Sequence, residues 1–260
     1  MKFKAVVFDW AGTTIDYGCF SPLGAFVEAF KSYGLDISIE EAREPMGMLK
    51  LDHTKALLDL PRVREQFRSH YNRDVEEKDI CALYECFEKS VFSTLKDYVK
   101  LNPYVRESIE SLRARGLKIG STTGYTKAMM DIILPLAKDQ GYIPDFCIAS
   151  DELGYGRPYP YMMYENARKL GIYPMSAIVK VGDTIVDMQE GKNAGCACIG
   201  VVLGSSLLGL SQSEVASLPK EELQARKNAV RVQLYEAGAD RVIDDFSELE
   251  ASVCDLDSKL

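Results

Sequence analysis

Two histidines, His53 and His70, are all that the 260-residue chain possesses, and its seven cysteines include no Cys-x-x-Cys pair. That scarcity argues against a zinc site, which draws on clustered Cys and His, and an odd, scattered set of thiols reads as reduced and structural. Cys19 is singled out only because it follows the first motif closely; a structural thiol is the default reading for it too. Positive charge is also short, with 31 Lys and Arg against 39 Asp and Glu and a formal charge of −8. Nucleic-acid binding is not expected, because lysines and arginines that displace phosphate counterions supply most of it. Any anionic ligand has to be held locally. No apolar run approaches the roughly 20 residues of a membrane span. The opening MKFKAVVFDW has too short an apolar stretch, ending in an acid, for a secretory leader. A cytoplasmic protein without membrane partners is the expectation. Also missing are a GxGxxG after the first strand and any GxxxxGKS or GxxxxGKT, so a nicotinamide or ATP enzyme is not indicated.

What is present is an ordinary globular composition, 47% apolar and 27% charged, enough to bury a sizeable core. FKAVVF at residues 3–8, LKIGST from Leu117, AIVKV from Ala177 and CIGVVL from Cys198 read as short buried strands. Helical patterns separate them, which implies an α/β fold with a parallel, Rossmann-like sheet. The helix before the second strand puts Val105, Ile109 and Leu112 on one face and stops at Gly116. The closing DRVIDDFSELEASV reads as a last short strand and helix. Between the first and second strands the pattern is helical only. Leu23, Phe26, Val27 and Phe30 share one face, closed by Gly34, and a later face holds Ile80, Leu83, Tyr84, Phe87, Val91 and Leu95. Ser38 and Glu41 have capping-box spacing, and Pro45 then breaks the pattern ahead of a helix carrying Lys50 and His53. The expected organisation is an α/β core of residues 1–21 and 99–260 with an inserted all-helical cap of residues 22–98.

Four segments carry chemistry, each at a strand end or in a turn. In FDWAGTTID, Asp9 ends the first strand, at the edge where open α/β sheets bind ligands, and Gly12 and Thr13 are expected to turn backbone N–H groups toward a phosphate-like group. In GSTTGY, Thr123 and the Gly124 N–H can donate to an oxyanion. In GRPYP, Arg157 can neutralise a dianion through a forked contact. In VGDTIVD, Asp183 ends the third of the strands read above and can help hold a hard cation such as Mg²⁺. Taken singly, each has a bland alternative as a helix cap or a solvated charge. Four in this order at strand ends form a pattern.

That pattern resembles the haloacid dehalogenase superfamily, whose members carry a nucleophilic Asp, a Ser or Thr, a Lys or Arg and an acidic metal site in this order, with a helical cap between the first two. Phosphatases of the superfamily place a second Asp two residues after the nucleophile as general acid, a contribution of about a hundred- to ten-thousandfold. Here Ala11 stands there. A carbon leaving group needs an electron sink instead, and a lysine imine on an adjacent aldehyde carbon provides one as an enamine. Lys50 in PMGMLKLDH is the candidate, with Met46 four residues before and His53 three after, expected on one helix face. Met46 is then a pocket residue and His53 a proton carrier. With these motifs the chain resembles the phosphonoacetaldehyde hydrolase family. The resemblance implies cleavage of phosphonoacetaldehyde to acetaldehyde and phosphate by a Mg²⁺-dependent homodimer. It implies Asp9 as nucleophile, Lys50 as imine-forming lysine, and Asp9, the Ala11 carbonyl and Asp183 around Mg²⁺ with Asp187 in support. Thr123, Gly124 and Arg157 then hold the phosphonate oxygens. The alternative is a phosphate-monoester hydrolase or mutase of the same superfamily, against which Ala11 speaks.

Overall fold

A computed structural model of the protein describes residues 1–259. Its sheet contains β1 (Ala5–Phe8), β2 (Lys118–Thr123), β3 (Phe146–Ala149), β4 (Ile178–Gly182), β5 (Ala197–Val201) and β6 (Arg241–Ile243). The strands run parallel in the order β3-β2-β1-β4-β5-β6. Every residue of β1 and β4 is buried, the pattern expected when helices cover both faces of a parallel sheet. β3 is a strand that the hydrophobic pattern does not announce. It is four residues long, and two of them are only half-buried at the sheet edge, so neither run length nor alternation marks it.

Six α-helices lie between β1 and β2: α1 (Phe20–Ser32), α2 (Ile39–Arg43), α3 (Lys50–Asp59), α4 (Pro61–Tyr71), α5 (Glu77–Thr94) and α6 (Val105–Ala114). The later connections carry α7 (Lys127–Asp139), α8 (Tyr161–Leu170) and α9 (Ile185–Ala194), then α10 (Gln212–Ser217), α11 (Lys220–Glu236) and α12 (Leu249–Lys259). Phe26 and Phe30 of α1 and Leu83, Phe87 and Val91 of α5 pack into one apolar cluster that also takes in Phe8 and Trp10 below them. Helices α1 and α5 therefore share a continuous core with the end of β1.

Ser38 caps α2 through the capping box that its spacing suggests. Pro45 cannot continue a helix that needs its N–H, and the chain turns from Glu44 to Leu49 before α3 begins at Lys50. Met46 is therefore in the turn and not on the helix face with Lys50 and His53, as the spacing suggests. Among the described residues no helix is long and apolar enough to cross a membrane.

Candidate active site

Parallel register brings the strand ends to one height. Phe8 pairs with Ser121 of β2 and Val181 of β4, so Asp9, Thr123 and Asp183 emerge together at the carboxyl edge beside the central strand. This is the crevice where such sheets bind ligands. The turn after Asp9 is closed by the Trp10 carbonyl, which accepts from the N–H groups of Thr13 at 3.1 Å, Thr14 at 2.8 Å and Ile15 at 3.0 Å. The Gly12 N–H donates to the Ile15 carbonyl at 2.8 Å. The backbone donors of Gly12 and Thr13, expected to cradle a phosphate-like group, are spent inside the turn. Both residues act on the acids instead. Gly12 has φ of +86°, and a Cβ there would come within 2.5 Å of Asp183 Oδ2. Thr13 Oγ1 donates to Asp183 Oδ1 at 2.7 Å and reaches Asp9 Oδ2 at 3.5 Å.

Asp9, Asp183 and Asp187 each offer a carboxylate oxygen, all within 4.8 Å of one another, and all three are buried. Ser206 donates to Asp183 Oδ2 from its N–H at 2.8 Å and its Oγ at 2.9 Å. Burial and the charges of Asp9 and Asp187 nevertheless push Asp183 up to about 8. Burial likewise raises Asp9, with Arg157 working against it. For Asp187 the order of effects reverses. Burial opposes its charge, but Arg157 and Lys180 outweigh that and hold the carboxyl below its usual range. Its Oδ1 lies 3.0 Å from both Arg157 Nη1 and Lys180 Nζ, while Thr184 holds Oδ2 through N–H and hydroxyl at 3.1 and 2.5 Å. Asp187 is thus committed to protein partners, and Asp9 and Asp183 are the freer ligands.

Charge counting says what the cluster needs. Four buried carboxylates, Asp9, Asp183, Asp187 and Glu190, face two buried cations, Arg157 and Lys180, and stay in excess when the buried Lys50 of the adjoining cavity is counted. A divalent, oxygen-seeking cation fits the deficit and the donor set. Arg157 reaches Asp9 at 2.7 Å, Asp187 at 3.0 Å and Glu190 at 3.0 Å. Lys180 reaches Glu190 at 2.9 Å, and Thr122 Oγ1 accepts from Arg157 at 2.8 Å and from Lys180 at 2.7 Å. Burial works against the charge on Arg157, but its three carboxylates more than compensate and raise it. Thr122, Lys180, Glu190 and Ser206 were not among the residues that sequence reasoning singles out. Lys180 carried a signal: a lysine inside the apolar run AIVKV of a strand covered on both faces has to find a buried carboxylate.

The adjoining cavity is lined by Asp9, Ala11, Cys19, Thr123, Gly124, Tyr125 and Arg157 on the sheet side and by Met46 and Gly47 of the α2–α3 turn and Lys50 at the start of α3. Lys50 is 3% exposed. Its Nζ lies 3.9 Å from Met46 Sδ and 5.4 Å from the Tyr125 ring centroid. Met46 thus meets Lys50 from the turn, not along a helix face. Burial holds Lys50 below the ordinary lysine range, and its place in the first turn of α3 acts in the same direction, since a helix N-terminus disfavours a cation. Thr123 Oγ1 accepts from the Tyr125 N–H at 3.0 Å. Gly124 leaves no room for a side chain, because a Cβ would come 2.7 Å from the Met48 carbonyl oxygen. His53 is not brought to the cavity. Its Nε2 contacts the Ala42 carbonyl at 3.0 Å, its ring stacks on Phe26 at 4.0 Å, and burial pushes its pKa well down. Cys19, by contrast, lines the cavity as a thiol that burial pushes well up.

A family model described as haloacid dehalogenase-like hydrolase matches residues 3–195. The chain is 50% identical over 250 residues to the phosphonoacetaldehyde hydrolase of Bacillus cereus (strain ATCC 14579), with 96% of this chain and 95% of that protein covered. It is 51% identical over 249 residues to the bifunctional phosphonoacetaldehyde hydrolase/aminoethylphosphonate transaminase of Clostridioides difficile (strain 630), covering 96% of this chain but only 39% of that longer protein. The crystal structure of a phosphonoacetaldehyde hydrolase-like protein from Oleispira antarctica superposes with a TM-score of 0.97 at 34% identity, over 100% of this chain and 94% of that one. With a family model across most of its length and half-identical relatives of full length, the chain belongs to the haloacid dehalogenase-like hydrolases and, within them, to the phosphonoacetaldehyde hydrolase family.

Proposed function

We propose that the chain hydrolyses the carbon–phosphorus bond of phosphonoacetaldehyde, with Asp9 as nucleophile and Lys50 as the amine that forms an imine with the aldehyde. The observation that carries this reading is Lys50, a lysine 3% exposed in the same cavity as Asp9, in a chain with alanine at position 11. A buried amine held below its ordinary range is neutral more often and so able to attack a carbonyl. Lys50 Nζ adds to the aldehyde carbon and water leaves, giving the protonated imine. An Asp9 oxygen then attacks phosphorus in line. The electrons of the breaking C–P bond pass into the imine as an enamine, which takes up a proton at carbon and is hydrolysed to acetaldehyde and free Lys50. Water cleaves the aspartyl phosphate. Arg157, Thr123 and the Gly124 N–H bind the phosphonate oxygens in this scheme, and Arg157 has to share its contact with Asp9 to do so.

Mg²⁺ is the proposed cofactor, held by Asp9, Asp183 and the Ala11 carbonyl with Asp187 in support. When bound it supplies charge stabilisation to the transferring group. The helices of residues 22–98 are read as a cap that excludes water while the imine exists. His53 is left a structural place under this cap. Homodimerisation is proposed too, and three exposed tyrosines, Tyr155, Tyr159 and Tyr161, with ring centroids 5.4 to 5.8 Å apart, support it as an exposed aromatic patch. A cytoplasmic setting fits the free thiols.

The test is release of phosphate and acetaldehyde from phosphonoacetaldehyde with Mg²⁺, beside p-nitrophenyl phosphate, followed by borohydride reduction and peptide mapping. Cleavage of the phosphonate with the adduct on Lys50 is expected. Hydrolysis of the ester alone would overturn the assignment in favour of a phosphatase.

A further inference from the structure

Helix α2 of the insertion ends on Arg43, whose guanidinium reaches away from its own helices into loops of the sheet domain. Nη1 donates to the Gly18 carbonyl at 2.9 Å and to the Ser206 carbonyl at 3.0 Å, and Nη2 to the Gly209 carbonyl at 3.3 Å. Its central carbon sits 5.2 Å from the Phe20 ring centroid. The slot is cut to this group. Gly209 has φ of +65°, and a Cβ there would lie 2.9 Å from Arg43 Cζ. A charged donor satisfied by three carbonyls from two loops, one after β1 and one after β5, is a clasp, since each bond is charge-assisted and all three are lost together if the helices swing away.

Ser206 makes the clasp more than structural. Its carbonyl accepts from Arg43, while its own N–H and Oγ hold Asp183 Oδ2 at 2.8 and 2.9 Å. Thr13 Oγ1 holds the other oxygen at 2.7 Å. One residue therefore connects a side chain of the insertion to the carboxylate with which the site would bind a cation.

We propose that Arg43 is a positioning residue that couples closure of the helical cap to the cation affinity of the Asp9–Asp183 site through Ser206. Docked, it pins the Ser206 peptide and with it the orientation of Asp183. Released, it frees that peptide, and Asp183 loses two aimed donors. The coupling is reciprocal, so a cation on the carboxylates favours the docked cap by the factor by which docking favours the cation. The proposal rests on the reading of Asp9 and Asp183 as metal ligands, not on the identity of the substrate.

The test titrates Mn²⁺, as a Mg²⁺ surrogate with a paramagnetic signal, into the full chain without substrate, for wild type, Arg43→Met, Ser206→Ala and the double variant. Each single change is expected to weaken Mn²⁺ binding by about tenfold, the range for partners that orient a ligand, and the double variant to be no weaker than the worse single. Arg43→Lys, which still reaches the carbonyls, restores most of the affinity. Binding by Arg43→Met within about twofold of wild type, or losses that multiply in the double variant, overturns the coupling. Should Arg43→Met show no cooperative melt, Gly209→Ala carries the same criteria, because its methyl displaces the guanidinium without removing it. A wild type that binds no Mn²⁺ also overturns the proposal. One that binds Mn²⁺ with the expected variant pattern, yet releases no phosphate from phosphonoacetaldehyde, sinks the activity reading and leaves the clasp standing.

Discussion

Replacing Lys180 by Met removes one of the two cations that serve Asp187 and Glu190 while keeping the side chain's reach out to Cε. In the native protein Lys180 Nζ lies 2.9 Å from Glu190 Oε2, 3.0 Å from Asp187 Oδ1 and 2.7 Å from Thr122 Oγ1, with none of its side chain exposed. Without it, Asp187 and Glu190 share Arg157, which is also paired with Asp9. The loss is not the value of an ordinary ion pair. It is the cost of leaving a carboxylate charged, buried and short of a partner, about 3–5 kcal/mol. At about 2–4 °C per kcal/mol for a chain approaching this length, the melting temperature should fall by roughly 6–20 °C. Calorimetry and urea unfolding read this directly. Lys259→Met serves as the control, since it breaks a pair of comparable length, 2.8 Å to Asp255, with side chains 55% and 44% exposed. There the melting temperature should not move measurably, because solvent already screens the charges. Adding Glu190→Gln to Lys180→Met should recover part of the loss by removing the orphaned charge. If Lys180→Met unfolds within about 1 kcal/mol of wild type, or the double variant costs the sum of the singles, the account of the buried network is wrong.

Lys50→Met should abolish borohydride labelling and lower phosphate release by about 10³-fold or more, some 4 kcal/mol of barrier; retained turnover would remove the imine from the scheme. Because burial lowers the Lys50 pKa from 10.5, its reaction with a soluble amine reagent, followed by peptide mapping, should reach half-maximum at lower pH than that of the exposed lysines. Reactivity that tracks theirs would show the cavity does not tune it. Ala11→Asp should lower phosphonate cleavage and raise hydrolysis of p-nitrophenyl phosphate above wild type, and no gain on the ester would mean that the leaving-group acid is not what the site lacks. Asp16, which accepts the Phe20 and Ser21 N–H groups at 3.0 and 2.9 Å, is pushed up by burial from 3.8 to about 6. The folded state then keeps a proton that the unfolded chain gives up near 3.8, so this group subtracts stability as pH rises from about 4 to about 6 and nothing further above that window. Asp16→Asn should flatten the pH dependence of urea unfolding across that interval, and an unchanged slope would count against the assignment.

Local chemistry explains what could be read before any fold was known. Apolar runs, a capping box, Pro45 and the acids at strand ends are short-range signals, and they suffice for a parallel α/β sheet with helices between β1 and β2, for Asp9 and Asp183 at one edge, and for the absence of an acid at position 11. β3 carries no such signal because four residues, two of them half-buried and two buried, are too few to show a period. The Gly12 and Thr13 N–H groups were misread because a turn of that composition can aim its donors outward or, as here, at its own carbonyls. His53 was drawn toward the site by its spacing from Lys50 alone, and Phe26 holds it elsewhere.

By itself, then, the amino-acid sequence determined the order of the elements apart from β3, the strand-end acids and a candidate lysine, because each follows from neighbours within a few residues. Tertiary structure alone decided which buried charges meet, with Thr13 and Asp183 bonded across 170 residues and Arg43 and Ser206 across 163. It also decided that Lys50 is buried and that Asp187 is spent on cations. Such contacts depend on parallel register and on the packing of an inserted segment against distant loops, and no local pattern encodes either.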